Sequence, residues 1–161
     1  MTLPSFAVPP HERYFEDYTP GDVHELGAVT ISEAEIIEFA KQFDPQYFHI
    51  NPEKAVQSRF GGIIASGWHT AALIMRVYVD RYLSHVASMA SPGVDDLRWP
   101  NPVRPGDTLR VRVTVVEARP SRSKPDRGIV RGKIEAFNQK DELVISMVGI
   151  SIIGRRPQSQ V

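Results

Sequence analysis

From Trp68 to Leu83, apolar side chains occupy nearly the whole circumference of what helical spacing reads as one helix. Charge enters only at Arg76, Asp80 and Arg81. A helix that is apolar all round has to be buried. Any fold open to this chain must therefore wrap something around that segment, and the C-terminal half holds the material.

Thr108 to Val116 alternates, with Leu109, Val111, Val113 and Val115 on one face and Arg110, Arg112 and Thr114 on the other. Val130, Ile134 and Ala136 alternate with Arg131, Lys133 and Glu135 in the same way. Both segments read as strands with one wet face. Leu143 to Ile153 is apolar on both faces, which predicts a strand covered on both sides. Asp96 to Val103, with Trp99 and two prolines, suits an irregular edge strand. Glu117 to Gly128 reads as a long basic hairpin loop, and Asn138 to Asp141 as the turn of the next hairpin.

The N-terminal half supplies shorter pieces. Residues 1–13 read as an arm on the body, and Asp22 to Thr30 as a first strand entered through the turn signal Pro20-Gly21-Asp22. Ser32-Glu33-Ala34-Glu35 is a capping box in front of helically spaced Ile36, Phe39, Ala40 and Phe43, so Ser32 to Gln42 reads as a helix. Pro45 ends it. Asn51 caps a short helix that has Pro52 at its first position. Residues 155–161 read as a flexible tail. Early helices and a late run of strands make an α+β pattern: one domain over 1–161, an antiparallel β-sheet wrapped around a long central helix.

Bulk properties narrow the function. Nineteen basic and nineteen acidic side chains cancel, so neither nucleic acid nor an anionic membrane is the expected partner. With no cysteine there is neither a disulfide nor a thiolate ligand. The start of the chain lacks a basic signal-peptide region, and the longest apolar run, Ala71 to Val79, is too short to span a bilayer. A soluble, cytoplasmic protein is the expectation. His11, His24 and His85 show no ligand spacing, so no metal is expected.

Chemistry concentrates between Phe43 and Gly67. Asp44 and His49 stand five residues apart in one loop pinned at Pro45 and Pro52, where they could share the proton work on one water. An acid capping a turn beside a half-buried loop histidine has the same spacing. Gly67 opens the apolar helix, where free N–H groups carry partial positive charge and could stabilise a developing enolate. A glycine that only makes room for packing would look the same.

The stretch Asp44-x4-His49 followed by Phe60-Gly61-Gly62-Ile63-Ile64-Ala65-Ser66-Gly67 resembles the MaoC-like dehydratases, which include the (R)-specific enoyl-CoA hydratases. Tyr18 to Asp22 and Pro102 to Leu109 resemble that family's opening and its later turn into a long strand, in the family's order. The resemblance implies the hot-dog fold, a homodimer or larger assembly joined sheet edge to sheet edge, and reversible addition of water to a trans-2-enoyl-CoA. In that reading Asp44 and His49 hold the water and Gly67 binds the thioester carbonyl. Ser66, Trp68, Tyr47 and Phe48 stand around the substrate, and no cofactor is needed beyond the coenzyme A of the substrate. The doubly apolar strand Leu143–Ile153 would suit the assembly.

Gln46-Tyr47, Asn51 and Met75 depart from the family's commoner residues, which leaves acyl length and branching open. His69 could face the site or cap its turn. Arg119, Arg122, Lys124 and Arg127 could meet coenzyme A phosphates or form a solvated hairpin. A hot-dog thioesterase would want an acid early on the apolar helix, which has none before Asp80. An acyl-thioester binding or regulatory protein without turnover would keep the fold and lose the reaction.

Overall fold

The computed structural model describes residues 6–158. One antiparallel sheet carries five strands in the order β1-β3-β4-β5-β2. They are β1 Val23–Thr30, β2 Gly93–Arg98, β3 Thr108–Pro120, β4 Arg127–Phe137 and β5 Leu143–Gly154. Helices α1 Glu33–Phe43, α2 Tyr47–Ile50, α3 Pro52–Val56 and α4 Gly67–Arg81 lie between the first two strands of the sequence. Among the described residues no helix is long and apolar enough to cross a membrane.

Alternation in the sequence becomes the inner face of the sheet. Leu109, Val111, Val113, Val115, Val130, Ile134 and Ile145 are all buried there. Burying each such side chain contributes about 1.5–3 kcal/mol, so this face needs a cover. Helix α4 is the cover, with Ile74, Tyr78 and Tyr82 turned into the core. Gly132 and Gly149 pair across β4 and β5 directly beneath it. A Cβ on Gly132 would come within 3.3 Å of the Tyr82 hydroxyl, and one on Gly149 within 3.6 Å of the Tyr78 hydroxyl. The two tyrosine rings, stacked at 4.7 Å, sit over this glycine saddle.

Both ends of α4 are fastened. Ser66 is its N-cap. At the other end the buried Arg13 guanidinium donates to the carbonyls of Arg81 at 3.1 Å and Tyr82 at 2.7 Å. Those are carbonyls that a helix leaves unsatisfied, and a cation there also complements the helix dipole. The Phe6 ring lies 3.4 Å from the same guanidinium.

Several sequence expectations are corrected. Helix α4 is buried along one face only: Trp68, Met75 and Val79 are 59%, 49% and 37% exposed. One sheet covers one side of a helix, and apolar spacing does not tell how many layers will be present. Strands β3 and β4 run longer than the alternation suggested, because a bulge between Val115 and Glu117 breaks the pattern without ending the strand. Their hairpin loop shrinks to 121–126. Strand β5 is interior to the sheet, with β4 and β2 as neighbours, so the free edges belong to β1 and β2. Strand β2 is the irregular edge, but it ends at Arg98 instead of reaching Val103. Asp44 and His49 are not in one open loop, since Tyr47–Ile50 closes a helical turn.

The expected tail also changes. Arg156 donates to Asp17 at 2.7 Å and Arg155 pairs with Glu16 at 3.3 Å, so this part is tied to the turn Phe15–Asp17. Residues 1–5 of the expected arm and 159–161 of the expected tail lie outside the described residues.

Replacing Arg13 by Met should lower unfolding free energy by about 2–3 kcal/mol, the scale of charge-assisted hydrogen bonds lost in a dry site. Urea unfolding of the variant checks this, and a change below about 0.5 kcal/mol would mean α4 is not held at this end.

Candidate functional site

Proline at position 45 stops α1, leaving Asp44 as its C-terminal cap with its N–H on the Ala40 carbonyl at 2.9 Å. The chain restarts at once in α2, where the His49 N–H bonds the Gln46 carbonyl at 2.9 Å. That single turn brings His49 back to its neighbour. Nε2 of His49 lies 3.2 Å from Oδ2 of Asp44.

The other ring nitrogen fixes the tautomer. Nδ1 of His49 is 2.7 Å from the Ile64 carbonyl oxygen, which can only accept, so Nδ1 carries a proton. Nε2 then offers Asp44 either a lone pair or the second proton of an imidazolium. Two bare acceptors at this distance repel, so a proton belongs between them. His49 is buried, and Asp44 keeps part of its surface in the open.

Burial pushes the Asp44 carboxyl up, but its partners outweigh that and hold it below the ordinary carboxylate value. They are the Ser66 hydroxyl, the Gln46 amide at 2.8 Å and His49. Ser66 itself is fully buried, and its oxygen also accepts the Trp68 N–H at 3.3 Å. One hydroxyl thus joins the start of α4 to the acid.

Beside this pair opens a cavity of about 300 Å³. His49, Gly67 and Thr70 contribute to its wall, together with Phe60, Trp99 and Arg59. Asp44 is not in that wall and meets it through His49. Gly67 begins α4, where first-turn N–H groups lack helical partners. What requires a glycine at this position is Trp99: a Cβ there would overlap the Trp99 indole.

The remaining expected residues divide. Ser66 belongs to the cluster. Phe48 packs edge-on against His49 with ring centres 4.5 Å apart. Tyr47 faces a separate depression with Lys54, Gln57 and Ser58. Trp68 turns away from the 300 Å³ cavity but meets Trp99, ring centres 5.2 Å apart at 78°. Trp99, Thr70, Arg59 and the Ile64 carbonyl were missed by sequence reasoning. Thr70 had a signal, being one turn along α4 from Ser66. Trp99 had none beyond its Pro-rich surroundings.

His69 does not reach the cavity. It stacks on Phe39 of α1 at 4.6 Å, with the planes 4° apart. Its burial keeps it neutral to lower pH than usual, against the weaker pull of Glu35. The basic hairpin is also elsewhere. Pro120 pairs with Gly128 at the far end of β3 and β4, whereas the cavity takes Val144 from the opposite end of the sheet. Two of its charges are spent locally, Arg119 on Glu117 at 2.9 Å and Arg127 on Asp126 at 2.8 Å. Among the described residues no group of three or more His, Cys, Asp or Glu side chains could hold a metal ion.

A family model described as "MaoC like domain" matches residues 17–136. The uncharacterized protein YdeM of Bacillus subtilis (strain 168) is 32% identical over 126 residues, 78% of this chain and 88% of that protein. An (R)-specific enoyl-CoA hydratase of Rhodospirillum rubrum is 34% identical over 114 residues, 68% of this chain and 74% of that one. The crystal structure of a MaoC-like dehydratase, also from Rhodospirillum rubrum, superposes with a TM-score of 0.84 at 41% identity, covering 91% of this chain and 99% of that chain. Other relatives are longer proteins, of which the chain spans as little as 31%.

Because the folded state keeps His69 neutral, the unfolded chain takes up its proton first as pH falls through the ordinary value of 6.5. Protonation therefore favours unfolding. Stability to urea should fall between pH 7.5 and pH 5.5, and a His69→Phe variant should lose part of that fall. Identical pH profiles for both proteins would show that His69 does not contribute to it.

Proposed function

Because the chain belongs to the MaoC-like domain family, we propose that it is a hydro-lyase adding water reversibly to trans-2-enoyl-CoA, with an (R)-3-hydroxyacyl-CoA as product. The observation that carries this reading is the Asp44–His49 contact of 3.2 Å, beside a cavity with the first turn of α4 in its wall. The hydratase name of one relative agrees with it.

Water held against both Asp44 and Nε2 of His49 from the cavity side loses a proton to the pair as its oxygen bonds the β-carbon. Electrons of the double bond move toward the thioester carbonyl, whose oxygen accepts from the Gly67 N–H at the positive end of α4. The α-carbon then takes a proton from the pair. The pair gains one proton and gives one, so it ends as it began, and the 3.2 Å contact provides the path between its members. No cofactor enters, and coenzyme A comes with the substrate. A surface with no net charge offers no basic field for an acidic carrier protein, which favours coenzyme A as the carrier.

A second copy of the chain completes the proposal. Trp68, Met75 and Val79 form an exposed apolar stripe on α4, and Trp68 and Met75 border the same hollow as Val94 of the edge strand β2. Val94 is itself 49% exposed, and Val86 and Met89 add to the patch. A free strand edge beside an apolar stripe is the surface a homodimer covers.

Asp44→Asn and His49→Ala should each cut turnover of crotonyl-CoA by about 10²–10⁴-fold, the usual worth of general acid–base catalysis, with the thermal midpoint nearly unchanged. Loss of enoyl-thioester absorbance measures this, and near wild-type rates would overturn the assignment. Light scattering should give a dimer, and Val94→Glu combined with Met75→Glu should give a monomer. A monomeric wild type would remove the second copy from the proposal.

A further inference from the structure

Not every donor at the cavity beside His49 is committed. The N–H of Gly67, at the first position of α4, has no helical partner. It is also thin provision for an enolate. A carbonyl oxygen carries two lone pairs, and one N–H leaves acceptor capacity unmet just where charge would gather.

Thr70 stands three residues further along the same helix. Residues i and i+3 share a helix face, and side chains lean back toward the N-terminus. The Thr70 side chain therefore lies over the turn that begins at Gly67, where no neighbouring side chain keeps it away. It is 1% exposed, and it lines the same cavity as His49 and Gly67. Its hydroxyl is loosely held. Oγ1 lies 3.5 Å from the Ser66 carbonyl oxygen, which already accepts the Thr70 N–H at 3.1 Å. A contact that long is at the limit of a hydrogen bond. Threonine in a helix divides between two side-chain rotamers, and only one of them bonds the carbonyl a turn back. Little stands against the other.

We infer that Thr70 is a catalytic residue whose hydroxyl gives the thioester oxygen a second hydrogen bond, beside the Gly67 N–H, as negative charge develops there. The inference rests on the hydratase reading of this cavity. In the resting site the hydroxyl proton rests on the Ser66 carbonyl. As the enolate forms, that proton turns to the oxygen that has become the stronger acceptor, because a charged acceptor roughly doubles the strength of the bond. A donor of this kind favours the transition state over the bound ground state, so it raises kcat and leaves affinity nearly untouched. A buried threonine that only fills space predicts the opposite split.

The test compares two pairs of proteins that differ at one hydroxyl: wild type with Thr70→Val, and Thr70→Ser with Thr70→Ala. The second pair decides the matter if valine prevents folding. Each is assayed for hydration of crotonyl-CoA and for calorimetric binding of butyryl-CoA, which cannot react. Loss of the hydroxyl should lower kcat by about 10²-fold within each pair, the lower end of what one oxyanion donor is worth. The dissociation constant of butyryl-CoA should stay within about threefold across each pair. Thr70→Ser should keep most of the wild-type rate. Equal kcat within a folded pair would overturn the role of Thr70, as would a loss confined to butyryl-CoA binding, and either would leave the hydratase reading standing. A folded wild type that hydrates none of a panel of enoyl-CoAs would overturn the hydratase reading, and the role of Thr70 with it.

Discussion

The seat of α4 on the sheet is the constraint from which the rest follows. A helix laid across pleated strands normally rides on side chains, and its height and position along the strands can vary with them. Here the paired glycines 132 and 149 remove two of those side chains, and Tyr78 and Tyr82 fill the hollow. Large rings over bare backbone leave little freedom to slide, because any shift along β4 or β5 would drive a phenol into Val113 or Ile134, each 3.0 Å from where a glycine Cβ would stand. Arg13 then fixes the far end by taking the carbonyls of residues 81 and 82.

A helix whose position is set by its middle and its end has a beginning whose position is set too. That beginning is Ser66 and Gly67, and the reactive pair is hung from it. Ser66 reaches Asp44, the Ile64 carbonyl accepts from Nδ1 of His49, and the Ile64 N–H returns to the Phe48 carbonyl at 3.1 Å. Asp44 ahead of α2, and Phe48 and His49 within it, are thus tied to Ser66 and Ile64 just before α4. The short turn that brings His49 back to Asp44 is too brief to stand alone, so these contacts hold it in place.

Local rules read well from the sequence, and layered ones did not. The capping box at Ser32 and Glu35 appears as expected, with the Ser32 N–H on the Glu35 carboxylate at 2.8 Å, because both partners lie within one turn. Asn51 caps α3 through the Lys54 N–H for the same reason. The nearness of Asp44 and His49 was legible, yet the helical turn between them was not, since four residues carry no periodicity. Burial of α4 was overstated because apolar character on a helix does not say whether the cover is this chain or another. The place of β5 inside the sheet depended on β2 crossing to its side, which no pattern within β5 records. Trp99 was out of reach for a deeper reason. Its importance lies in the space above Gly67, and only the folded chain brings the two together.

The two indoles that meet edge to face at the start of α4 are the only tryptophans in the chain. Emission excited at the red edge of the protein spectrum therefore comes entirely from this one place, and the remaining 159 residues are dark at that wavelength. The molecule carries its own optical probe, built into the wall it would report on. A quencher that reaches the half-open ring of Trp68, or a ligand that excludes water from Trp99, would change colour or intensity without any label. Loosening elsewhere in the body would leave that signal alone until the helix itself let go of the sheet.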